Sequence, residues 1–275
     1  MTELGFLRGR QAIIEVNFQL RSDKFPIGII GGTGGMGKWF ASFFQQEGYS
    51  VQISGRNTGP DPRQMAEDCP VVIVSVPIEA TEAVIRKIGP CMPRESVLMD
   101  LTSLKEVPVR TMLETSVSEV IGLHPLFGPR VASLDGQNIA VCPARGERWL
   151  PWLKDILEKN GANLVETTPE GHDRMMALVQ GLNHFNTVML GLTLAGSGVS
   201  PEDLRRFSTP VFRERLDHLN RIIAHPDLYA HLIAGNPHTD KLMTSYRKNL
   251  EELQALLPSG DVPALTKMIK DIPFS

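Results

Sequence analysis

The stretch Ile27-Gly28-Ile29-Ile30-Gly31-Gly32-Thr33-Gly34-Gly35-Met36-Gly37 constrains this chain more than any other. An apolar run of strand type enters Gly32, Gly34 and Gly37 at G-x-G-x-x-G spacing, and residues 38–44 continue with helical periodicity. Backbone shape gives the motif its chemistry. Gly32 permits a tight turn, Gly34 lets the main chain approach a pyrophosphate, and Gly37 lets the helix pack closely on the strand. The free N–H groups and positive dipole end of that helix then meet the phosphates. Thr33, Gly35 and Met36 complete the loop, so residues 32–37 are candidate dinucleotide-binding residues. A second strand over 49–53 follows the helix, which is the order the motif requires.

The position that reads the ribose lies about 20 residues after the first glycine, where a cofactor without a 2′-phosphate usually meets an Asp or Glu. This chain has Ser54-Gly55-Arg56 there, and its next carboxylate is Asp61, beyond a Gly-Pro turn. A hydroxyl and a guanidinium fork are donors suited to a 2′-phosphate, which favours NADP over NAD. The alternative is a solvated loop arginine beside a neutral serine.

From residue 25 to 167 strand and helix patterns alternate, the signature of a Rossmann-type α/β domain with a parallel sheet and crossover helices. The continuous apolar run 71–77 reads as a strand buried on both faces. Its end, Ser75-Val76-Pro77, belongs beside the cofactor, because open α/β sheets bind ligands outside the carboxyl ends of their strands. The strand over 96–100 delivers Ser103 and Lys105 to the same edge. Ser103 also fits the first position of a Ser-x-x-Glu capping box with Glu106. A strand over 120–123 delivers His124 into the stiff segment Pro125-Leu126-Phe127-Gly128-Pro129. An imidazole titrates near neutrality, so His124 is the candidate proton acceptor. Strands over 138–142 and 162–166 flank a helix over 148–160 that stops at Gly161.

Beyond Thr167 the strands cease and cap-then-proline pairs open helices at Thr168-Pro169, Ser200-Pro201 and Thr209-Pro210. Further helices read over 229–234, 240–257 and 263–272, making 168–275 an all-α domain. Its first long helix carries Met175, Met176, Val179, Leu182, Val188, Met189, Leu190, Leu192 and Leu194 nearly all round, as a helix buried inside a dimer would. His172, Gln180 and His184 are polar residues that such a setting must satisfy or use, with Gln180 and His184 on one face. Arg213 and Arg221, roughly 12 Å apart along one helix, are either carboxylate ligands in a cleft or surface ion-pair partners. Residues 1–24 form an N-terminal extension too short for a domain, with 7–20 readable as helix or strand.

The formal charge of -3, without a basic tract, argues against a nucleic-acid partner. Cys69, Cys91 and Cys142 are widely spaced and show no metal-ligand pattern, so neither a disulfide framework nor a metal site is expected. No apolar run reaches the ~18 residues of a membrane span and no signal pattern opens the chain, which points to the cytoplasm.

Taken together, these residues resemble the prephenate dehydrogenase family of tyrosine biosynthesis. The likeness rests on the glycine loop, Val74-Ser75-Val76-Pro77, Asp100-Leu101-Thr102-Ser103-Leu104-Lys105, Gly122-Leu123-His124-Pro125-Leu126-Phe127-Gly128-Pro129, Glu170-Gly171-His172-Asp173, Gln180-Gly181-Leu182-Asn183-His184-Phe185 and Ser208-Thr209-Pro210-Val211-Phe212-Arg213. It implies NAD(P)-dependent oxidation of prephenate, with His124 as the catalytic histidine on the ring hydroxyl and Ser103 orienting it. It also implies Arg221 with Arg213 on the substrate carboxylates, His172 and His184 lining the same cleft, and a homodimer through the helical domain. Lys105 and Gln180 join the substrate-binding candidates. Some relatives carry a fused chorismate mutase domain, for which the residues ahead of the loop are too few, and some place an acid where Ser54-Gly55-Arg56 stands. The rival readings are an arogenate dehydrogenase and a catalytically silent NADP sensor.

Overall fold

The computed structural model describes residues 24–273, so the segment 7–20 lies outside the described residues. Packing divides the chain into two compact units, one ending at His172 and the other beginning at Asp173.

The first unit is built on a seven-stranded sheet in the order β2-β1-β3-β4-β5-β6-β7. Its strands are β1 (Ile27–Ile30), β2 (Val51–Ser54), β3 (Val71–Val74), β4 (Val97–Asp100), β5 (Glu119–Pro125), β6 (Asn138–Arg145) and β7 (Asn163–Glu166). Helices α1 (Gly35–Gln46), α2 (Pro62–Asp68), α3 (Ile78–Ile88), α4 (Glu106–Thr115) and α5 (Trp149–Lys159) connect them. Side chains alternate across the sheet. Ile27, Ile29, Ile73, Met99 and Leu123 pack with Phe40 and Phe44 of α1 and Trp149 of α5. Ile30, Val72, Leu98 and Val120 pack on the other face with Met65 of α2, Ile85 of α3 and Met112 of α4. Covering both faces is why β1, β3 and β4 are fully buried and read as unbroken apolar runs.

Strands β1 to β5 run parallel, but β6 pairs antiparallel with β5. The cause lies in the connection. Residues 126–137 form no helix, so the chain has no crossover to turn it back and returns beside β5 in the opposite sense. Helix α5 does supply a crossover, and β7 is parallel to β6.

Helix α6 (Pro169–Met176) carries the chain into the second unit, where the described residues form helices only. A wide-turn π segment, Ala177–Leu182, leads into α7 (Asn183–Gly196). After it come α8 (Pro201–Arg206), α9 (Pro210–Ala224), α10 (Pro226–Ala234), α11 (Thr239–Leu256) and α12 (Val262–Lys270). The cap-then-proline starts form as the sequence reads: Ser200 Oγ accepts from Asp203 N at 3.0 Å and Thr209 Oγ1 from Phe212 N at 3.3 Å. The expectation of a buried first helix does not hold within one chain. Met175, Val179, Met189 and Leu192 are 40–63% exposed, because the elements of this unit cover only part of an apolar surface that runs round the helix.

Candidate active site

Strand order places β2 and β3 on opposite sides of β1, so the crevice beyond the carboxyl ends of β1 and β3 is the switch point where such sheets take ligands. The glycine loop lies there. Gly34 is the N-cap of α1, with no side chain capping the helix and no acid in its first turn. Thr33, Gly34 and Gly35 are exposed, leaving the first N–H groups of α1 and its positive end open to an anion. Close packing requires glycine at two points. A Cβ on Gly37 would lie 2.5 Å from the Gly31 carbonyl oxygen, and Gly31, at φ +84°, would bring one to 2.2 Å from Ser75 O. Gly31 is a constraint that the three-glycine motif does not reveal. Ser75, Val76 and Pro77 flank the loop from the end of β3. These residues fit a dinucleotide pyrophosphate.

At the ribose end Ser54 departs from its expected role. It is 1% exposed and donates its hydroxyl proton to Pro60 O at 3.0 Å, so it shapes the turn and has no donor left for a phosphate. Residues 55 and 58 bridge, leaving Arg56 and Asn57 exposed at the tip of the turn. A Cβ on Gly55 would lie 2.7 Å from both Thr33 Oγ1 and Thr58 Oγ1, so two hydroxyls converge there.

His124 lies within β5, opposite Ala140, not in the loop beyond it. It is 4% exposed, and its Nδ1 is 2.9 Å from Nε2 of His172, itself buried on α6. Burial holds the His124 imidazole well below its ordinary range, with His172 and then Lys105 pushing the same way. Its base form is therefore the resting one. Ser103 is half-buried in the loop between β4 and α4. The capping box is not formed: α4 starts at Glu106 with Lys105 in the N-cap position, which makes no side-chain cap bond.

Lys105 is not a substrate ligand. Its side chain has no exposed surface, and it donates to the Asp100 carboxylate and, at 2.8 Å, to Leu123 O. Asp100 is equally buried and also accepts from Thr102 N at 2.9 Å. Burial pushes its carboxyl above the usual range, against the pull of Lys105.

In the second unit a separate cluster gathers at His184. Its ring lies 5.3 Å from that of His218 on α9 and 4.8 Å from that of Tyr229 on α10, both edge-on. Burial, with His218 adding to it, lowers His184 to about 4. His218 is lowered by burial and then by the positive charge of Arg221, which lies on the same helix. The buried atoms His184 Nδ1 and Gln180 Oε1 have no hydrogen-bond partner among the described residues. Arg213 and Arg221 are exposed on α9, and neither makes an ion pair among the described residues. The sequence reading missed His218, Tyr229 and Asp100. His218 had a detectable signal, standing three residues before Arg221 on one helical face. Among the described residues, no group of His, Cys, Asp or Glu is placed to hold a metal ion.

A glycine loop at the switch point of a doubly wound sheet, followed by a helical unit, defines a Rossmann-type nucleotide-binding protein. Two family models match this chain, "Prephenate dehydrogenase, nucleotide-binding domain" over residues 41–166 and "Prephenate dehydrogenase, dimerization domain" over residues 168–271. The chain belongs to the prephenate dehydrogenase family. It is 33% identical over 273 residues to a Methanocaldococcus jannaschii protein named "Probable arogenate/prephenate dehydrogenase", covering 92% of this chain and 61% of that one. It is 35% identical over 240 residues to the T-protein of Enterobacter agglomerans, covering 87% of this chain and 64% of that one. The chain thus spans less than two thirds of these curated relatives. A crystal structure of prephenate dehydrogenase from A. aeolicus superposes with a TM-score of 0.73 at 19% identity, covering 91% of this chain and 96% of that one, a likeness of fold. No helix among the described residues is long and apolar enough to cross a membrane.

Proposed function

We propose that this chain catalyses the NADP+-dependent oxidative decarboxylation of prephenate to 4-hydroxyphenylpyruvate, a step of tyrosine biosynthesis. The observation that carries the reading is the state of His124, an imidazole buried at the ligand-binding edge of the sheet, kept neutral, with Nδ1 engaged by His172 at 2.9 Å. With Nδ1–H donating to His172, the lone pair of His124 is on Nε2, which accepts the proton of the ring hydroxyl. Ser103 orients that hydroxyl. The bound nicotinamide supplies the two-electron acceptor for the hydrogen on the hydroxyl-bearing carbon. The bond to the departing carboxylate gives its electron pair to the ring, which becomes aromatic as carbon dioxide leaves. His124 thus holds the only proton the protein has to take up.

For the cofactor, Arg56 and the hydroxyls of Thr33 and Thr58, with no carboxylate in the turn, support NADP. The A. aeolicus structure holds NAD+ together with hydroxyphenyl propionate, which supports the same cofactor class and an aromatic ligand. For the substrate, two imidazoles and a phenol gather at His184, and the charge of Arg221 acts on His218 of that group, a set that suits the anionic pyruvyl group better than an ammonium. Arg221, with Arg213 on the same helix, takes the carboxylates. The second reading is arogenate oxidation, favoured by the double name of the M. jannaschii relative. The second unit is assigned to homodimer assembly.

The test is a spectrophotometric assay of nicotinamide reduction with prephenate or arogenate and NADP+ or NAD+. The prephenate and NADP+ pair should give the highest kcat/KM. Faster turnover of arogenate would transfer the assignment to that substrate, and cofactor binding without any turnover would leave only a sensor.

A further inference from the structure

Two strand ends carry the chemistry proposed above, β4 leading to Ser103 and β5 holding His124, and one buried cation joins them. Lys105 Nζ donates to Asp100, the last residue of β4, and at 2.8 Å to the carbonyl of Leu123, the residue before His124 on β5. Asp100 and Gly122 are register partners on these neighbouring strands, so the cation bridges the two strands at their carboxyl ends. The stem of Lys105 has its own berth. A Cβ on Gly122 would lie 3.1 Å from Lys105 Cδ and 2.6 Å from Val109 Cγ2, so the missing side chain of Gly122 makes room for the lysine.

Burying an ion pair costs desolvation energy that an apolar pair of similar volume avoids. Cohesion between two strands already joined by ladder bonds does not call for it. What the pair adds is a fixed position for one carbonyl, and that carbonyl adjoins the imidazole. From the geometry we propose that Asp100 and Lys105 are positioning residues: together they clamp the Leu123 carbonyl so that His124 keeps its place on β5 and its bond to His172. The part of the clamp that concerns catalysis rests on the reading of His124 as the proton acceptor. Lys105 is also one of the groups that hold His124 below its ordinary range, which fits a cation seated beside it.

The experiment compares the full-length wild type with Lys105→Met and with the double variant Asp100→Leu/Lys105→Met, which swaps the ion pair for apolar side chains and is expected to fold even where the single variant does not. Two readouts are taken, steady-state kinetics with prephenate and NADP+, and 15N NMR of the histidine rings. The clamp predicts a fall of about 10²-fold in kcat, the cost of a misplacement near 1 Å, with KM changed less than about threefold. It also predicts that the ring signals of the hydrogen-bonded His124 and His172 pair move toward those of free imidazoles. A folded double variant with wild-type kcat or an unchanged His124–His172 signature would overturn the proposal. If the signature moves while even the wild type fails to oxidise prephenate, the clamp stands and the functional reading falls.

Discussion

His124 is where a single side chain decides most. The role proposed for it requires a neutral imidazole at the start of the reaction, and burial, with His172 and Lys105 pushing the same way, favours that state. In His124→Asn the amide can still meet His172, but no base remains for the hydroxyl proton. kcat should fall by roughly 10²-fold or more while cofactor and prephenate binding persist, as read by steady-state kinetics and fluorescence titration. Because protonation inactivates the base, the acid limb of wild-type kcat should lie below pH 6.5, the ordinary value of this group. A limb at or above 6.5 would contradict the buried, neutral state. His184 makes the corresponding statement about stability. Its folded value of about 4 lies below the ordinary 6.5, so the unfolded chain takes up a proton first as pH falls. Its contribution is complete above about pH 6.5 and is lost between there and 4. Replacing it by Phe should remove that acid sensitivity, measured as a flatter dependence of Tm on pH. An unchanged slope would mean that His184 is not the buried titrating group.

Elements differ in how much of their placement is local, and the glycine loop separates two roles. A methyl on Gly34 would meet only Gly31 O, at 3.3 Å, whereas one on Gly37 would strike backbone at 2.5 and 2.7 Å. Gly34→Ala should therefore keep its Tm and lose about tenfold or more in NADPH affinity, near 1.4 kcal/mol. Gly37→Ala should lower Tm by several degrees, since overpacking costs about 1 to 3 kcal/mol. Melting curves and a fluorescence titration separate the outcomes, and equal loss of Tm in both would refute the division. The loop, β3 and the cap-then-proline helix starts were legible because each is set by a few adjacent residues. The direction of β6 was not, since it depends on whether residues 126–137 form a crossover helix. Lys105 illustrates the same limit at the site. A cation just past a strand end reads as solvent-facing, and its burial is decided by Gly122 on the next strand. The pairing of His124 with His172 joins residues 48 apart, and only the fold reveals it.

At the scale of the whole molecule, the second unit leaves an apolar surface that its own helices do not cover. Met175, Leu178, Val179, Met189 and Leu192, on one continuous helical stretch, are 40–63% exposed, and Val262 and Ile269 of α12 add to the uncovered area. Exposed apolar side chains gathered on one helical stretch point to an association surface, and residues 168–271 match a dimerization domain. A stable pair needs roughly 1,200–2,000 Å² of buried surface, and this stretch is where the exposed apolar side chains of the second unit offer it. Sedimentation equilibrium should give a dimer for the wild type. Val179→Asp with Leu192→Arg, both on side chains more than half exposed in the single chain, should shift it to monomer without unfolding the sheet, since both positions belong to the second unit and the sheet to the first. Carboxylate and guanidinium groups would each have to be desolvated at the contact, costing several kcal/mol per ion. A double variant that still sediments as a dimer would move the interface elsewhere, and a wild-type monomer would leave the exposed methionines and leucines without an explanation.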